Sequence, residues 1–398
     1  MNEQLAYALI TPYSLVKSRT GGILARLLSY TDLEFVGARM YIFSDAFLDA
    51  YRDVVCPATA EPALCEAWRD YVDTSLRLGN PWGYVPRCML LLFRGEDAVR
   101  RLKDDVIGGF TERPTGKTIT IRGTYGDLIR DEAGEIHYFE PAVLTAPTED
   151  LNRKHLKLFA DYSLSDGGVL TGRCPHEQND VQVSLVMLKP DNFERRSRRP
   201  GNIIDTFSLT GLRIVAAKLF RMTVAMGERF YGPLKEQFVD KLRFLVARTA
   251  KQKLSDAFDF PFNDADADRV ADMLAERNAE CEFNKIVDYM TGVHPNAVAE
   301  EDKPTAGNAR CLALLYEGPK AIEKVRSVLG STDPSKAEPG TVRSDFGRDL
   351  MRNGAHASDS PENALRERQI VGLDKAEPDT CDVRQIIEEY LASSSGPE

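Results

Sequence analysis

The feature that most restricts how this chain can fold is a repeat. Residues 6–43 read AYALITPYSLVKSRTGGILARLLSYTDLEFVGARMYIF, and residues 182–220 read QVSLVMLKPDNFERRSRRPGNIIDTFSLTGLRIVAAKLF. Each opens with an apolar strand ending in x-Pro (Thr11-Pro12, Lys189-Pro190) and passes through a polar loop containing Gly. A helix-period run follows, Ile23, Leu24, Leu27 and Leu28 in one and Ile203, Ile204 and Phe207 in the other, and an apolar, β-branched strand closes each unit. Residues 88–107 and 311–329 echo one another as strand, Gly turn and helix. The combined order is β-α-β-β-α-β around an antiparallel sheet.

The fold class expected is therefore α+β, with two ferredoxin-like domains in tandem over residues 1–165 and 181–373. A chain of 398 residues is also more than one core usually organises. Residues 166–180, DGGVLTGRCPHEQND, read as a linker. Residues 232–306 read as a helical insertion in the second copy. Its helices are expected over Pro233–Leu254, where Phe238, Leu242, Leu245 and Val246 share a face, and over Asp268–Glu282. In the tail, 374–398, Val383, Ile386, Ile387, Tyr390 and Leu391 predict a short helix docked on apolar surface.

Charge narrows the function. The formal net charge of −10 disfavours broad nucleic-acid binding, which needs a basic face. The cluster Arg195-Arg196-Ser197-Arg198-Arg199 reads as a solvated loop or a partner contact. No run of about 18 apolar residues exists, so no transmembrane helix and no membrane partner are expected. The opening residues read as a first strand rather than a signal peptide. Seven scattered cysteines with no C-x-x-C pair suit reduced thiols and a cytoplasmic location better than a disulfide framework or a zinc site.

The chemistry concentrates near His356, one of only five histidines. It lies in Asn353-Gly354-Ala355-His356-Ala357-Ser358-Asp359, which resembles the N-x-x-H-[GA]-S-D signature of nucleoside diphosphate kinases. The family's ordered Arg, Thr, Arg, Asn, His, Ser and Glu fall without a gap on Arg326, Thr332, Arg343, Asn353, His356, Ser358 and Glu367. Its K-P-D lysine matches Lys189 and its tyrosine matches Tyr231. The resemblance covers about 181–373 clearly and 5–165 faintly. It implies transfer of a terminal phosphate from a nucleoside triphosphate to a nucleoside diphosphate through a phosphohistidine, in ping-pong fashion.

The residue types fit that chemistry in their own right. Neutral imidazole has a free lone pair near pH 7 and forms a labile bond to phosphorus. One ring nitrogen must be held so that the other faces the phosphate, and the resemblance gives that task to Glu367 with Ser358 nearby. Phosphoryl transfer otherwise needs positioning and neutralisation of spreading oxygen charge. Arg326 and Arg343 suit bidentate phosphate contact. By resemblance, Lys189 reaches the sugar hydroxyl region, Thr332 a phosphate oxygen, Asn353 the ribose and Tyr231 the γ-phosphate side. Mg²⁺ is the expected cofactor; it bridges phosphates and requires no protein cage, so no protein metal ligands are assigned. Phe283 is the nearest candidate for stacking the base.

The first copy departs from this pattern. Thr11 stands at the lysine position, Tyr51 and Arg122 resemble kept positions, and no N-x-x-H-x-S-D follows. His137 lies in an alternating run that reads as a strand. This copy is expected to be inactive and to replace one subunit of a family dimer. Gly116-Lys117-Thr118 fails as a P-loop, because Thr111 stands where Gly is required. Asp264, Asp266 and Asp268 fail as a calcium loop and suit a helix N-terminus instead. The loop matching 333–342, used in family assembly, is kept, so a homo-oligomer is expected. The insertion is expected to serve as an interface, with a lid as the other possibility. A competing function is a nucleotide-binding regulatory scaffold with little turnover.

Overall fold

The structure, a computed structural model, describes residues 3–80, 83–109, 120–171, 181–260, 262–374 and 382–393. Gly116-Lys117-Thr118, Cys174, Cys381 and most of the expected linker lie outside the described residues.

Two four-stranded sheets carry the same strand order. The first contains β1 (Glu3–Ile10), β2 (Glu34–Tyr41), β3 (Cys88–Glu96) and, after a small separate hairpin of β4 (Asp127–Arg130) and β5 (Ile136–Glu140), β6 (Val143–Leu144). Its order is β2-β3-β1-β6. The second contains β7 (Val181–Leu188), β8 (Arg213–Arg221), β9 (Arg310–Pro319) and β10 (Ala355–Ala357), in the order β10-β7-β9-β8. Counted within each copy, both read 4-1-3-2, and every pairing with a resolved register is antiparallel.

The helices of the first copy are α1 (Pro12–Val16), α2 (Thr20–Ser29), α3 (Asp45–Val54), α4 (Pro62–Ser75), α5 (Ala98–Arg100, running on as a π-turn to Ile107), α6 (Ile121–Tyr125), α7 (Glu149–Asp161) and α8 (Ser163–Asp166). Those from residue 181 onward are α9 (Arg199–Phe207), α10 (Val224–Ala257), α11 (Asp264–Thr291), α12 (Ala321–Leu329), α13 (Val342–Phe346), α14 (Pro361–Ile370) and α15 (Asp382–Ser393).

Alternation along β1 divides the first core. Ala6, Ala8 and Ile10 face one side and Leu5, Tyr7 and Leu9 the other, as the two-residue period of a strand requires. The Ala6 face shares one continuous core with the second copy, including Ile203, Ile204 and Phe207 of α9. That continuity depends on a close approach. A Cβ at Gly21 would lie 2.5 Å from the carbonyl oxygen of Gly201, and one at Gly201 would lie 2.3 Å from that of Gly21. Equivalent helices α2 and α9 therefore cross backbone to backbone, which only glycine permits.

Other contacts join the copies. Arg196 donates to the Ser29 carbonyl at 3.0 Å and Arg198 to the Tyr30 hydroxyl at 2.6 Å. Two arginines of the Arg195–Arg199 cluster, Arg196 and Arg198, thus hold the first copy. Buried Arg87 lies 3.8 Å from buried Glu317. Within the expected linker, Gly167 bridges to Tyr41, and Leu170 N–H donates to the Val215 carbonyl at 2.9 Å. The tail helix α15 packs on α7 and β2, with Val383 and Ile387 buried.

By compactness the chain divides into one unit of residues 1–220 and 312–398 and a second of 221–311. The second unit is a helical hairpin longer than the sequence reading. α10 starts at Val224 with Thr223 as its cap and carries Pro233 inside it. Pro233 lacks one N–H, but nine preceding helical residues already exist, so it does not begin the helix. α11 begins under the cap of Asn263, with Asp264 and Asp266 in its first turn, where the helix dipole favours acids. Arg243 bridges to Asp268 and Asp272, and Lys251 to Asp264, across the hairpin.

The cysteine reading needs correction. Cys56 and Cys65 form a disulfide with Cα atoms 5.5 Å apart. They are nine positions apart, and the turn from α3 into α4 brings them together, which spacing alone does not reveal. Cys88, Cys281 and Cys311 are not in disulfides. Among the described residues no helix is long and apolar enough to cross a membrane.

Candidate active site

The expected residues of the sheet region fall into two hydrogen-bonded groups beside β10. The short strand β10 pairs with β7, placing His356 opposite Met187. The His356 Nε2 lies 2.9 Å from Glu367 Oε2, and Ser358 Oγ donates to that same oxygen at 2.6 Å. Glu367 and Ser358 are buried, while the imidazole is 21% exposed. The strand supplies the ring, and α14, capped by Ser360, supplies the carboxylate six residues into the helix. Nδ1 is thereby the ring nitrogen directed away from the carboxylate.

The second group surrounds the turn into β10. Lys189 Nζ donates to Asn353 Oδ1 at 2.7 Å and to the Met351 carbonyl at 3.1 Å. Asn353 donates to the carbonyls of Thr332 and Leu350. Arg343 donates to Gly330 O at 3.1 Å, to Thr332 Oγ1 at 3.3 Å and to Ala355 O at 3.4 Å. The last contact ties the guanidinium to the residue preceding His356. Lys189, Thr332, Arg343 and Asn353 thus form one network that fixes the turn.

Two expected residues lie outside these two groups. Arg326 is exposed on the last turn of α12, a helix that packs against β7 and β10. Tyr231 belongs to the helical unit, on α10, and is buried there at 7% exposure. Phe283, the stacking candidate, is buried in the same unit under the Lys235 ammonium, 5.6 Å from the ring centre.

The sequence reading missed Asn192. Its side-chain amide donates to the Lys189 carbonyl at 2.9 Å and to the Gly354 carbonyl at 2.6 Å, locking the strand end to the turn before His356. Arg199 also bridges Asp191 at 2.5 Å and the Phe346 carbonyl at 2.6 Å. The adjacency of Asn192 to the K-P-D run was its only signal in sequence.

Registers locate the corresponding residues of the first copy. Ile10 pairs with Val143 and Leu9 with Leu144, as Leu188 pairs with Ala355 and Met187 with His356. Leu144 therefore takes the seat of His356. Thr11 N–H donates to Ala142 O as Lys189 N–H donates to Gly354 O. Ala142 and Gly354 share positive φ, 59° and 83°. Counting on, Ala146 replaces Ser358 and His155 replaces Glu367. His155 is buried between the Tyr7 hydroxyl and the Val54 carbonyl, each at 2.8 Å, and burial pushes its pKa down to about 4.

Arg122 repeats the contacts of Arg343. It donates to Gly108 O and Val143 O, both at 3.0 Å, and its guanidinium lies 5.2 Å from the Trp68 ring centre. Tyr51 is seven residues past its cap, Ser44, and so matches Phe230, seven past Thr223. It does not match Tyr231, which corrects the sequence reading by one position. His137 sits exposed on β5.

Among the described residues no group of three His, Cys, Asp or Glu side chains could hold a metal ion.

The nucleoside diphosphate kinase family model matches residues 264–374, a span that includes Arg326, Thr332, Arg343, Asn353, His356, Ser358 and Glu367. A nucleoside diphosphate kinase of Archaeoglobus fulgidus is 30% identical over 206 residues, covering 50% of this chain and 96% of that protein. One from Methanobrevibacter smithii is 30% identical over 211 residues, 53% of this chain and 97% of that protein. One from Thermoplasma acidophilum is 32% identical over 190 residues, 48% of this chain and 87% of that protein. With nearly whole relatives matched at this identity, and the imidazole–carboxylate pair in place, the chain belongs to the nucleoside diphosphate kinase family of enzymes.

Proposed function

We propose that the second copy moves the terminal phosphate of a nucleoside triphosphate to a nucleoside diphosphate through phospho-His356. The observation that carries this reading is the Glu367 carboxylate 2.9 Å from His356 Nε2, steadied by Ser358 at 2.6 Å. With the proton on Nε2, the lone pair sits on Nδ1. Nδ1 attacks the terminal phosphorus, and the bond to the bridging oxygen breaks. The nucleoside diphosphate leaves with that electron pair. Glu367 stabilises the positive charge that the ring acquires. A terminal oxygen of the acceptor diphosphate then attacks the phosphoimidazole and restores the neutral ring.

Charge spreading over the transferring group is met by Arg343 and Arg326. Thr332 donates to a phosphate oxygen, and Lys189 and Asn353 serve the ribose. The substrate is the magnesium–nucleotide complex. Its Mg²⁺ would be held by the nucleotide and not by protein ligands.

The first copy, lacking the nucleophile, is read as the in-chain counterpart of a second subunit. The Gly21–Gly201 crossing of equivalent helices supports this, because pairing like with like is what a two-fold interface does. Assembly of whole chains into a homo-oligomer is a further part of the reading, checked by mass in solution. The test of the activity is exchange between ATP and a second nucleoside diphosphate. His356→Ala is expected to lower it by about 10⁴-fold or more, since no alternative nucleophile stands at that place. Nucleotide binding without exchange by the wild type would favour a scaffold role instead.

A further inference from the structure

We propose that the first copy holds its own site for a nucleoside diphosphate, which it binds by the diphosphate and does not phosphorylate. The site is a cavity of about 260 Å³ whose lining includes Leu144, Tyr51, Lys103, Arg122 and Arg130. It lies where the second copy presents His356, because Leu144 shares that residue's place in the sheet register.

The cations correspond as well. Asp97 and Lys320 each precede their helix with positive φ, 53° and 54°, and Lys103 and Arg326 each follow six residues later. Arg122 and Arg343 each stand two residues past a threonine cap and each clasp two equivalent carbonyls. Arg130, on the β4–β5 hairpin, adds a third cation. Glu61, the carboxylate among the lining residues, lies 3.2 Å from Arg130. Lys103 lies 3.3 Å from Asp104, a half-exposed pair that competes weakly with a phosphate. Among the described residues, three cations against one lining carboxylate, around a partly enclosed space, suit a compact polyanion.

What the cavity lacks is equally specific. Leu144 has no lone pair to offer phosphorus. The Tyr51 hydroxyl bonds to the Tyr7 hydroxyl at 3.1 Å, and burial pushes its pKa up, so it stays protonated. The volume is just under the ~300 Å³ at which pockets for whole drug-sized ligands begin, so it suits the diphosphate end and leaves the nucleoside outside the cavity. The inference rests on the reading of the second copy as a nucleotide site, since the correspondence is drawn to that copy.

The test is equilibrium dialysis of ADP against the full chain and two variants altered at exposed or half-exposed positions. Two ADP per wild-type chain are expected. One is lost in Lys103→Glu/Arg130→Glu and the other in Arg326→Glu/Thr332→Glu. A single wild-type ADP that disappears in Arg326→Glu/Thr332→Glu overturns the inference and leaves the second-copy site standing. A single ADP that survives that change and disappears in Lys103→Glu/Arg130→Glu supports the inference and counts against the second-copy reading. No binding at all removes both. Inorganic pyrophosphate provides the remaining arm. Weak displacement of ADP from the first site supports a nucleoside diphosphate, and displacement at equal strength overturns the nucleoside part of the assignment.

Discussion

The same turn occurs twice in this molecule and presents an imidazole backed by a carboxylate once. In the second copy it presents His356, backed by Glu367 and Ser358, with Lys189 bonded to Asn353. In the first copy the corresponding places hold Leu144, His155, Ala146, Thr11 and Pro141. Thr11 donates to buried Glu140 at 3.1 Å, and Tyr71 also donates to that carboxylate. The backbone hardly registers the change. Positive φ recurs at Gly95 and Gly318, at Asp97 and Lys320, and at Gly108 and Gly330. Arg122 and Arg343 hold the same pair of carbonyls. The scaffold is therefore separable from the chemistry, and Arg343 has a structural task in addition to any contact with phosphate.

The comparison can be broken at several points. After the loss of exchange in His356→Ala, the largest effect expected comes from the two histidines' opposite environments. His155 titrates near 4 in the folded chain and near 6.5 when unfolded. Above pH 6.5 both states hold it neutral, and its contribution to stability is complete. As pH falls from about 6.5 to about 4 the unfolded state alone takes up the proton. Stability then drops, by up to about 3 kcal/mol. Denaturant midpoints of wild type and His155→Gln across that window should differ in slope; equal slopes would mean that the ring is solvated.

Slightly smaller is the loss expected from Glu367→Gln. The neutral amide still bonds the ring but does not stabilise its charge, and kcat should fall about 10²-fold. An unchanged kcat would remove Glu367 from the catalytic account. Gly201→Ala should destabilise the chain by about 1–3 kcal/mol, because its methyl meets the Gly21 backbone and not a movable side chain. A variant as stable as wild type would show that the α2–α9 crossing is looser than the backbone contact implies.

Much of this was legible in sequence, for identifiable reasons. Strand alternation and helix periodicity marked both copies, and the spacing from Thr332 to Glu367 picked out residues that the structure joins in two hydrogen-bonded groups. Ser358, Glu367 and His356 meet because a three-residue strand and the helix capped by Ser360 follow at fixed separations. Positions defined only by pairing were not legible. Leu144 lies in a two-residue strand, too short for periodicity to betray. Asn192 acts through carbonyls, which no side-chain motif records. The Cys56–Cys65 bond depends on how α3 turns into α4, and the length of α10 on a proline that its helix accommodates. Tyr51 resembled the family tyrosine by type, and only the cap register separated it from that place.

The most direct test of the central claim, one scaffold twice and one nucleophile, is to incubate the full chain with Mg²⁺ and ATP labelled at the terminal phosphate. The modified residue is then mapped under alkaline conditions. The account predicts one acid-labile, base-stable phosphate per chain, on His356, with none on His137 or His155. Label on either first-copy histidine, or no label on folded protein, would contradict it.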